Sequence, residues 1–261
     1  MSSLQDARPK RSAAQRVTSI RRWTDTLWTL RIERPDGFRF QPGHYAKLGL
    51  PVDDADAVWR PYSIVSAPED GELEFLFILI PDGALSSHMA RLREGDRVMI
   101  ELAAFGFFVE TQLAPGDTLW MMATGTGLGP YVSLLRTPGA LERYRDLVVV
   151  HSVREAAELA YADELRAHVA ASGAAEQGRL RYVPIVTREP GATGLSGRIP
   201  QLLADGSLPR HAGATFDPAS ARVMVCGNPA FSKEMRQLLT ERGFVPCRRS
   251  AAGSMLFENY W

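Results

Sequence analysis

Near Thr118 the periodicity of the apolar residues changes, and with it the class of structure each half of the chain can form. Before that point the apolar residues alternate in short segments: Trp28-Thr29-Leu30-Arg31-Ile32, residues 45–50, a dense apolar run over 73–80, and residues 97–102. Turn signals separate them, among them Pro35-Asp36-Gly37, Gln41-Pro42-Gly43, Pro81-Asp82-Gly83 and Glu94-Gly95-Asp96. Short, evenly spaced strands of this kind predict a closed or nearly closed antiparallel β-barrel. One helix is expected to interrupt them over 86–92, with Ser86 as its cap.

After Thr118, apolar strands at 119–123, 147–151, 180–186 and 222–226 alternate with helical stretches around 130–136, 156–170, 199–204 and 230–242. That alternation predicts a parallel sheet with helices on its faces. The junction is expected in Leu113-Ala114-Pro115-Gly116-Asp117, and 261 residues are enough for two cores. The expected architecture is a two-domain one: an antiparallel β-barrel domain over 1–115, with 1–14 a candidate disordered arm, followed by an α/β parallel-sheet nucleotide-binding domain over 116–261.

Composition narrows the function classes. Thirty basic and thirty acidic residues cancel, so no field is expected for nucleic acid or an anionic membrane. Arginines such as Arg21, Arg22, Arg242, Arg248 and Arg249 read as solvated surface. No apolar run approaches a membrane span, and the first sixteen residues lack the apolar segment of a secretory signal. The two cysteines, Cys226 and Cys247, form neither a disulfide framework nor a metal-binding spacing. A reducing cytoplasm is the expected setting, and no metal site is expected.

Two motifs carry chemistry. Arg60-Pro61-Tyr62-Ser63 puts a fixed cation, a planar aromatic and a hydroxyl on one short extended segment, which is what a flavin nucleotide requires for its phosphates, ring and ring edge. The strand at 119–123 runs into Thr124-Gly125-Thr126-Gly127-Leu128-Gly129-Pro130. Glycines allow close approach to a phosphate, and Pro130 suits the first turn of a helix whose N-terminus attracts anions. Pro130 stands where the usual Gly-x-Gly-x-x-Gly spacing has its last glycine. Near the end of the second strand, where an NAD site would carry an acidic residue, the first charge is Arg154; Arg188 and Arg198 follow later strands. Arginines there suit the 2′-phosphate of NADP. Cys226-Gly227-Asn228-Pro229 opens another helix at a strand end, and its thiol is a candidate contact for the nicotinamide. The chain ends in Phe257-Glu258-Asn259-Tyr260-Trp261, an aromatic ending that calls for a packing partner.

As a set, and in this order, these motifs closely resemble those of the ferredoxin/flavodoxin–NADP+ reductase family in its bacterial form, over nearly the whole chain from about Gln15. The resemblance implies that Tyr62 lies against the isoalloxazine of FAD, that Arg60 neutralises pyrophosphate charge, and that Ser63 hydrogen-bonds the nitrogen exchanging hydride. It implies FAD contacts from Pro61, from the backbone of Leu76, Phe77 and Ile78, and from the turn Ala84, Leu85 and Ser86. NADP would be held by Gly125, Thr126, Gly127, Gly129, Pro130, Arg154, Arg188, Arg198, Cys226, Gly227 and Asn228, with Thr126 reaching both cofactors. Tyr260 would cover the second flavin face and move aside for the nicotinamide, Trp261 would lie on the adenine, and Glu258 would stand near the hydride-transfer site.

The expected function is therefore hydride transfer between NADP(H) and FAD in a cleft between the domains, coupled to one-electron exchange with ferredoxin or flavodoxin. A monomer is the family expectation. Another flavin, quinone or oxygenase-partner reductase on the same fold is the nearer alternative, and a non-catalytic flavin redox sensor the more distant.

Overall fold

The computed structural model describes residues 11–50, 57–81, 83–172 and 179–259. The chain separates into two compact units, one ending at Gly106 and the other beginning at Phe107.

The first unit is built on six strands: β1 (Ser12–Arg22), β2 (Leu27–Glu33), β3 (Tyr45–Leu50), β4 (Val58–Ser63), β5 (Glu72–Ile78) and β6 (Arg97–Glu101). They form one antiparallel sheet in the order β4-β3-β6-β1-β2-β5. The sheet curls until its edges meet at an Ile64–Phe75 bridge, so the barrel is nearly closed. Alternation does the work: Leu30, Ile32, Leu48, Val98 and Ile100 point into one fully buried core, while Arg31 and Arg97 point out. The carboxylate of Glu74 is buried among the strands, but the guanidinium of its cross-strand partner Arg31 holds it, Nε at 3.1 Å and Nη2 at 2.9 Å.

β1 has no counterpart in the periodicity reading. Its sequence is mostly polar and only Val17 is fully buried, yet Ser12–Arg16 pairs with Arg97–Glu101 and Val17–Arg22 with Trp28–Ile32. Residues 12–14 are therefore strand, where a disordered arm was expected. The helix expected over 86–92 is shorter, α1 (Ser86–Met89).

The second unit carries five parallel strands: β7 (Thr118–Thr124), β8 (Asp146–Val153), β9 (Arg179–Val186), β10 (Ala221–Gly227) and β11 (Met255–Asn259), in the order β11-β10-β7-β8-β9. Between them run α2 (Gly129–Arg136), α3 (Ala162–Ser172), α4 (Ile199–Ala204), α5 (Ser207–Ala212) and α6 (Pro229–Glu241). One face of the sheet, with Trp120, Met122, Val148, Val150 and Val225, is packed by Leu203 of α4, Leu208 of α5 and Met235 of α6. Met121, Ala123 and Val149, which alternate with these, are equally inaccessible. Burial on both faces explains why these strands read as continuous apolar runs.

The chain runs outward from β7 through β8 to β9, then returns to place β10 on the other side of β7. The carboxyl ends of β7 and β10 thus form the switch point where open α/β sheets bind ligands. The unit boundary at 106/107 lies before the expected 115/116 junction for a packing reason. Phe108 meets Tyr131 of α2 with ring centroids 6.0 Å apart, and Arg143 grips Glu110 by its side chain and also bonds the Glu110 carbonyl at 2.9 Å. Both contacts lie within the second unit.

Candidate functional site

In the first unit, two of the three segments expected to hold a flavin, residues 60–63 and 76–78, lie on the sheet's edge strands β4 and β5. Pro61 has no backbone N–H to give, and β4 tolerates it because β4 is an edge. By the two-residue period, Arg60 and Tyr62 share one face of β4, while Pro61 and Ser63 share the other. Tyr62 is half-buried and meets Phe77 of β5 edge-on, with centroids 5.9 Å apart at 66°. That contact puts the Arg60–Ser63 run across the seam from Leu76, Phe77 and Ile78.

Burial pushes the Tyr62 phenol up to about 12, against the opposing charge of Arg60, so the ring stays neutral. Arg60 donates from Nη1 to the Trp59 carbonyl at 2.8 Å, and Ser63 is buried opposite Tyr45. Just past β4, the Val65 N–H reaches the Glu74 carbonyl at 2.8 Å beside the Ile64–Phe75 bridge. An aromatic face, a permanent cation and a buried hydroxyl thus share one strand at a barrel seam. These residues fit a flavin nucleotide.

The 83–86 turn is built differently from the expectation. The Ser86 hydroxyl does not cap α1; it accepts the Ile80 N–H at 2.9 Å, and Leu85 occupies the cap position with no side-chain bond. Leu85 is a buried core residue and Ala84 is exposed, so this turn has its backbone to offer a ligand. Asp82 lies outside the described residues.

In the second unit, β7 ends at Thr124 and Gly125 turns the chain with φ +53, a left-handed value that favours glycine. A short 3₁₀ turn over Gly125–Leu128 leads into α2, which carries Pro130 in its first turn. Gly127 packs against the end of β10. A methyl group on it would fall 2.7 Å from the Cys226 carbonyl carbon and 3.0 Å from the Gly227 nitrogen. On the β10 side, the Asn228 side chain caps α6 by accepting the Phe231 N–H at 2.9 Å, and the Asn228 N–H reaches Thr124 Oγ1 at 3.3 Å. The two small-residue turns expected to hold NADP are therefore joined at the switch point; Gly125 and the start of α6 at Asn228 and Pro229 are exposed there, whereas Gly129 and Pro130 at the start of α2 are buried.

The three arginines are distributed unequally. Arg154 and Arg188, both exposed, are neighbours at the ends of β8 and β9, where the Arg188 N–H donates to the Arg154 carbonyl at 2.9 Å. Arg198 precedes α4, and its Nη2 is engaged by Glu234 Oε2 of α6. Glu234 was not among the expected site residues, because helical position alone does not reveal a partner on another element.

Cys226 is fully buried on β10 beside Glu258 of β11, with Sγ 3.9 Å from Oε2. The pairing arises because residues 255–259 form a fifth strand, where the sequence suggested only an aromatic tail. Tyr131 joins this group: its hydroxyl donates to the Met122 carbonyl at 3.1 Å. Burial foremost, then the charges of Cys226 and Glu258, hold that phenol well above its ordinary range. Tyr260 and Trp261 lie outside the described residues. Among the described residues no cluster suited to a metal occurs.

A nearly closed antiparallel barrel with this seam, followed by a parallel sheet with a glycine turn at its switch point, defines the class of two-domain flavin–nicotinamide oxidoreductases. Residues 17–106 match the family model described as oxidoreductase FAD-binding domain, and residues 121–237 match oxidoreductase NAD-binding domain. A flavodoxin/ferredoxin–NADP reductase of Escherichia coli (strain K12) is 39% identical over 250 residues, covering 94% of this chain and 97% of the relative. A ferredoxin–NADP reductase of Pseudomonas aeruginosa is 36% identical, covering 94% of this chain and 95% of the relative. The crystal structure of a ferredoxin NADP+ reductase from Neisseria gonorrhoeae with bound FAD and NADP is similar at a TM-score of 0.89 and 32% identity, covering 96% of this chain and 99% of that one. The chain belongs to the ferredoxin/flavodoxin–NADP reductase family, whose members are FAD- and NADP-dependent oxidoreductases.

Proposed function

We propose that this chain exchanges hydride with NADP(H) and single electrons with a small ferredoxin- or flavodoxin-type carrier, using the residues assembled above. Bound FAD supplies the conversion between two-electron and one-electron chemistry; the protein supplies position and electrostatics. The observation that carries the assignment is the meeting of Tyr62 and Phe77 across the barrel seam, which brings together two of the three flavin segments.

Arg60 offsets pyrophosphate charge, the Tyr62 ring backs the isoalloxazine, and the Ser63 hydroxyl bonds the ring nitrogen that exchanges hydride. The backbone of Leu76, Phe77 and Ile78 and of Ala84, Leu85 and Ser86 completes the FAD contacts, with Pro61 shaping the edge. On the second unit, Gly125, Thr126, Gly127, Gly129 and Pro130 take the NADP pyrophosphate, and Arg154, Arg188 and Arg198 take the 2′-phosphate as planar charged donors. Arg198 must exchange Glu234 for that phosphate. Cys226, Gly227 and Asn228 border the nicotinamide, with Glu258 beside the Cys226 thiol near the site of hydride transfer. Tyr260 and Trp261 are assigned to stacking on the flavin and its adenine.

A monomer in a reducing cytoplasm, binding neither nucleic acid nor membrane, is the proposed setting, in line with the two free cysteines and the balanced charge. Among the described residues no helix is long and apolar enough to cross a membrane. The test is steady-state turnover of the FAD-loaded protein with NADPH and a panel of acceptors: ferredoxin, flavodoxin, free flavin and a quinone. Ferredoxin or flavodoxin is expected to give the highest kcat/KM. Preference for free flavin or quinone would overturn the carrier assignment.

A further inference from the structure

A buried histidine that the proposed mechanism does not use stands directly beneath the glycine turn. His151 lies on β8, paired with Ala123 of β7 and Pro184 of β9, and is fully inaccessible. Its Nε2 is 3.0 Å from the Gly125 carbonyl oxygen. A carbonyl can only accept, so Nε2 carries the hydrogen and Nδ1 is the bare nitrogen of a neutral ring. Nδ1 is buried and has no hydrogen-bond partner among the described residues. Burial holds the ring's pKa down to about 4, opposed by the Gly125 bond, which agrees with a neutral ring.

A core histidine that leaves one nitrogen unsatisfied is a poor filler. An unmatched buried acceptor destabilises the fold, and an apolar residue at that place in β8 would avoid the cost. What the ring does supply is one donor aimed at one carbonyl. Gly125 is the residue whose φ of +53 turns the chain out of β7. The described backbone has no cis peptide bonds, and in a trans peptide the carbonyl of one residue and the N–H of the next point in opposite directions. Drawing the Gly125 carbonyl onto His151 therefore turns the Thr126 N–H away from His151.

We infer that His151 is a positioning residue for the nucleotide site, fixing the Gly125–Thr126 peptide so that the Thr126 N–H faces the anionic part of NADP(H). The inference rests on the assignment of the glycine turn to NADP made above. It assigns His151 no contact with cofactor or substrate.

The test uses FAD-loaded wild type, His151→Gln, His151→Asn and His151→Leu. Glutamine can set an amide N–H near the place of Nε2, asparagine sets it near Nδ1, and leucine has no donor. NADP+ affinity is measured by calorimetry and NADPH KM and kcat by turnover, alongside FAD content and melting temperature. Loss of one hydrogen bond predicts a roughly three- to tenfold rise in NADP+ Kd and NADPH KM for leucine and asparagine, with kcat and FAD content retained and glutamine within about twofold of wild type. If leucine fails to fold, the glutamine–asparagine contrast carries the same prediction.

Equal NADP+ affinity in the glutamine and asparagine variants would overturn the inference, leaving His151 as core packing alone. So would a loss of kcat at unchanged KM. An Arg188→Ala, Arg198→Ala arm separates this failure from failure of the underlying reading: if the kcat/KM preference for NADPH over NADH is unchanged there, it is the NADP assignment that falls. On holoenzyme with 15N-labelled histidine, the His151 resonances are expected to report the Nε2–H tautomer; the Nδ1–H tautomer would contradict the geometry.

Discussion

Ser63 is the residue on which the proposed chemistry of the first unit turns. It is buried on β4 opposite Tyr45, and its hydroxyl is the group assigned to the flavin's reactive nitrogen. Ser63→Ala removes one oxygen and little volume, so FAD content is expected to persist while the rate of flavin reduction by NADPH falls roughly ten- to hundredfold. Rapid mixing checks this, and a variant with full FAD and full rate would reduce Ser63 to a strand residue. Arg60, Tyr62 and Ser63 could be proposed from the sequence because their residue types state their chemistry, and the fold sets them together on one edge strand at the seam. His151 and Glu234 were not. A histidine closing a run of valines looks like strand core until the sheet sets it under Gly125, and Arg198 reads as an uncommitted cation until α4 and α6 pack together.

At the scale of elements, the strands of alternating pattern were readable, and those lacking a pattern were missed for identifiable reasons. β1 shows only Val17 fully to the core and spends its length pairing two neighbours, so hydrophobic period had nothing to report. β11 is short and edge-lying, and its worth lies in setting Glu258 against Cys226. Helix placement in the second unit depends on ion pairs that the sequence does not announce. Arg136, in the last turn of α2, grips Glu164 of α3 bidentately, Nε to Oε1 at 2.6 Å and Nη2 to Oε2 at 2.8 Å. Burial alone would raise the Glu164 carboxyl, but hydrogen bonds and charge from Arg136, then His168, bring it down to about 2 from an ordinary 4.5. A depressed carboxylate stabilises the fold above its unfolded pKa and loses that contribution as pH falls through the folded one. Glu164→Gln is expected to cost about 1–2 kcal/mol at pH 7, discounted for partial exposure. The difference in melting temperature from wild type should be full at neutral pH and close as pH falls from 4.5 toward 2. A gap independent of pH would mean the pair acts through packing alone.

At the scale of the molecule, the chain joins two units that each solve one binding problem. The barrel leaves a seam where its edge strands meet only in part, and the parallel sheet leaves a switch point where two small-residue turns pack together. The two-unit plan was legible from the change of periodicity near Thr118. The boundary was not, because Phe108 and Glu110 are committed to the second unit by Tyr131 and Arg143, contacts that no turn signal marks.

The central claim is that this chain passes hydride between NADP(H) and its own FAD. Anaerobic single-turnover mixing of the FAD-loaded protein with NADPH tests it most directly, with the flavin's visible absorbance as the readout. The account predicts bleaching at least as fast as steady-state turnover with a ferredoxin or flavodoxin acceptor, and markedly slower bleaching with NADH. A flavin that stays oxidised under NADPH, or one reduced far more slowly than turnover, would contradict it.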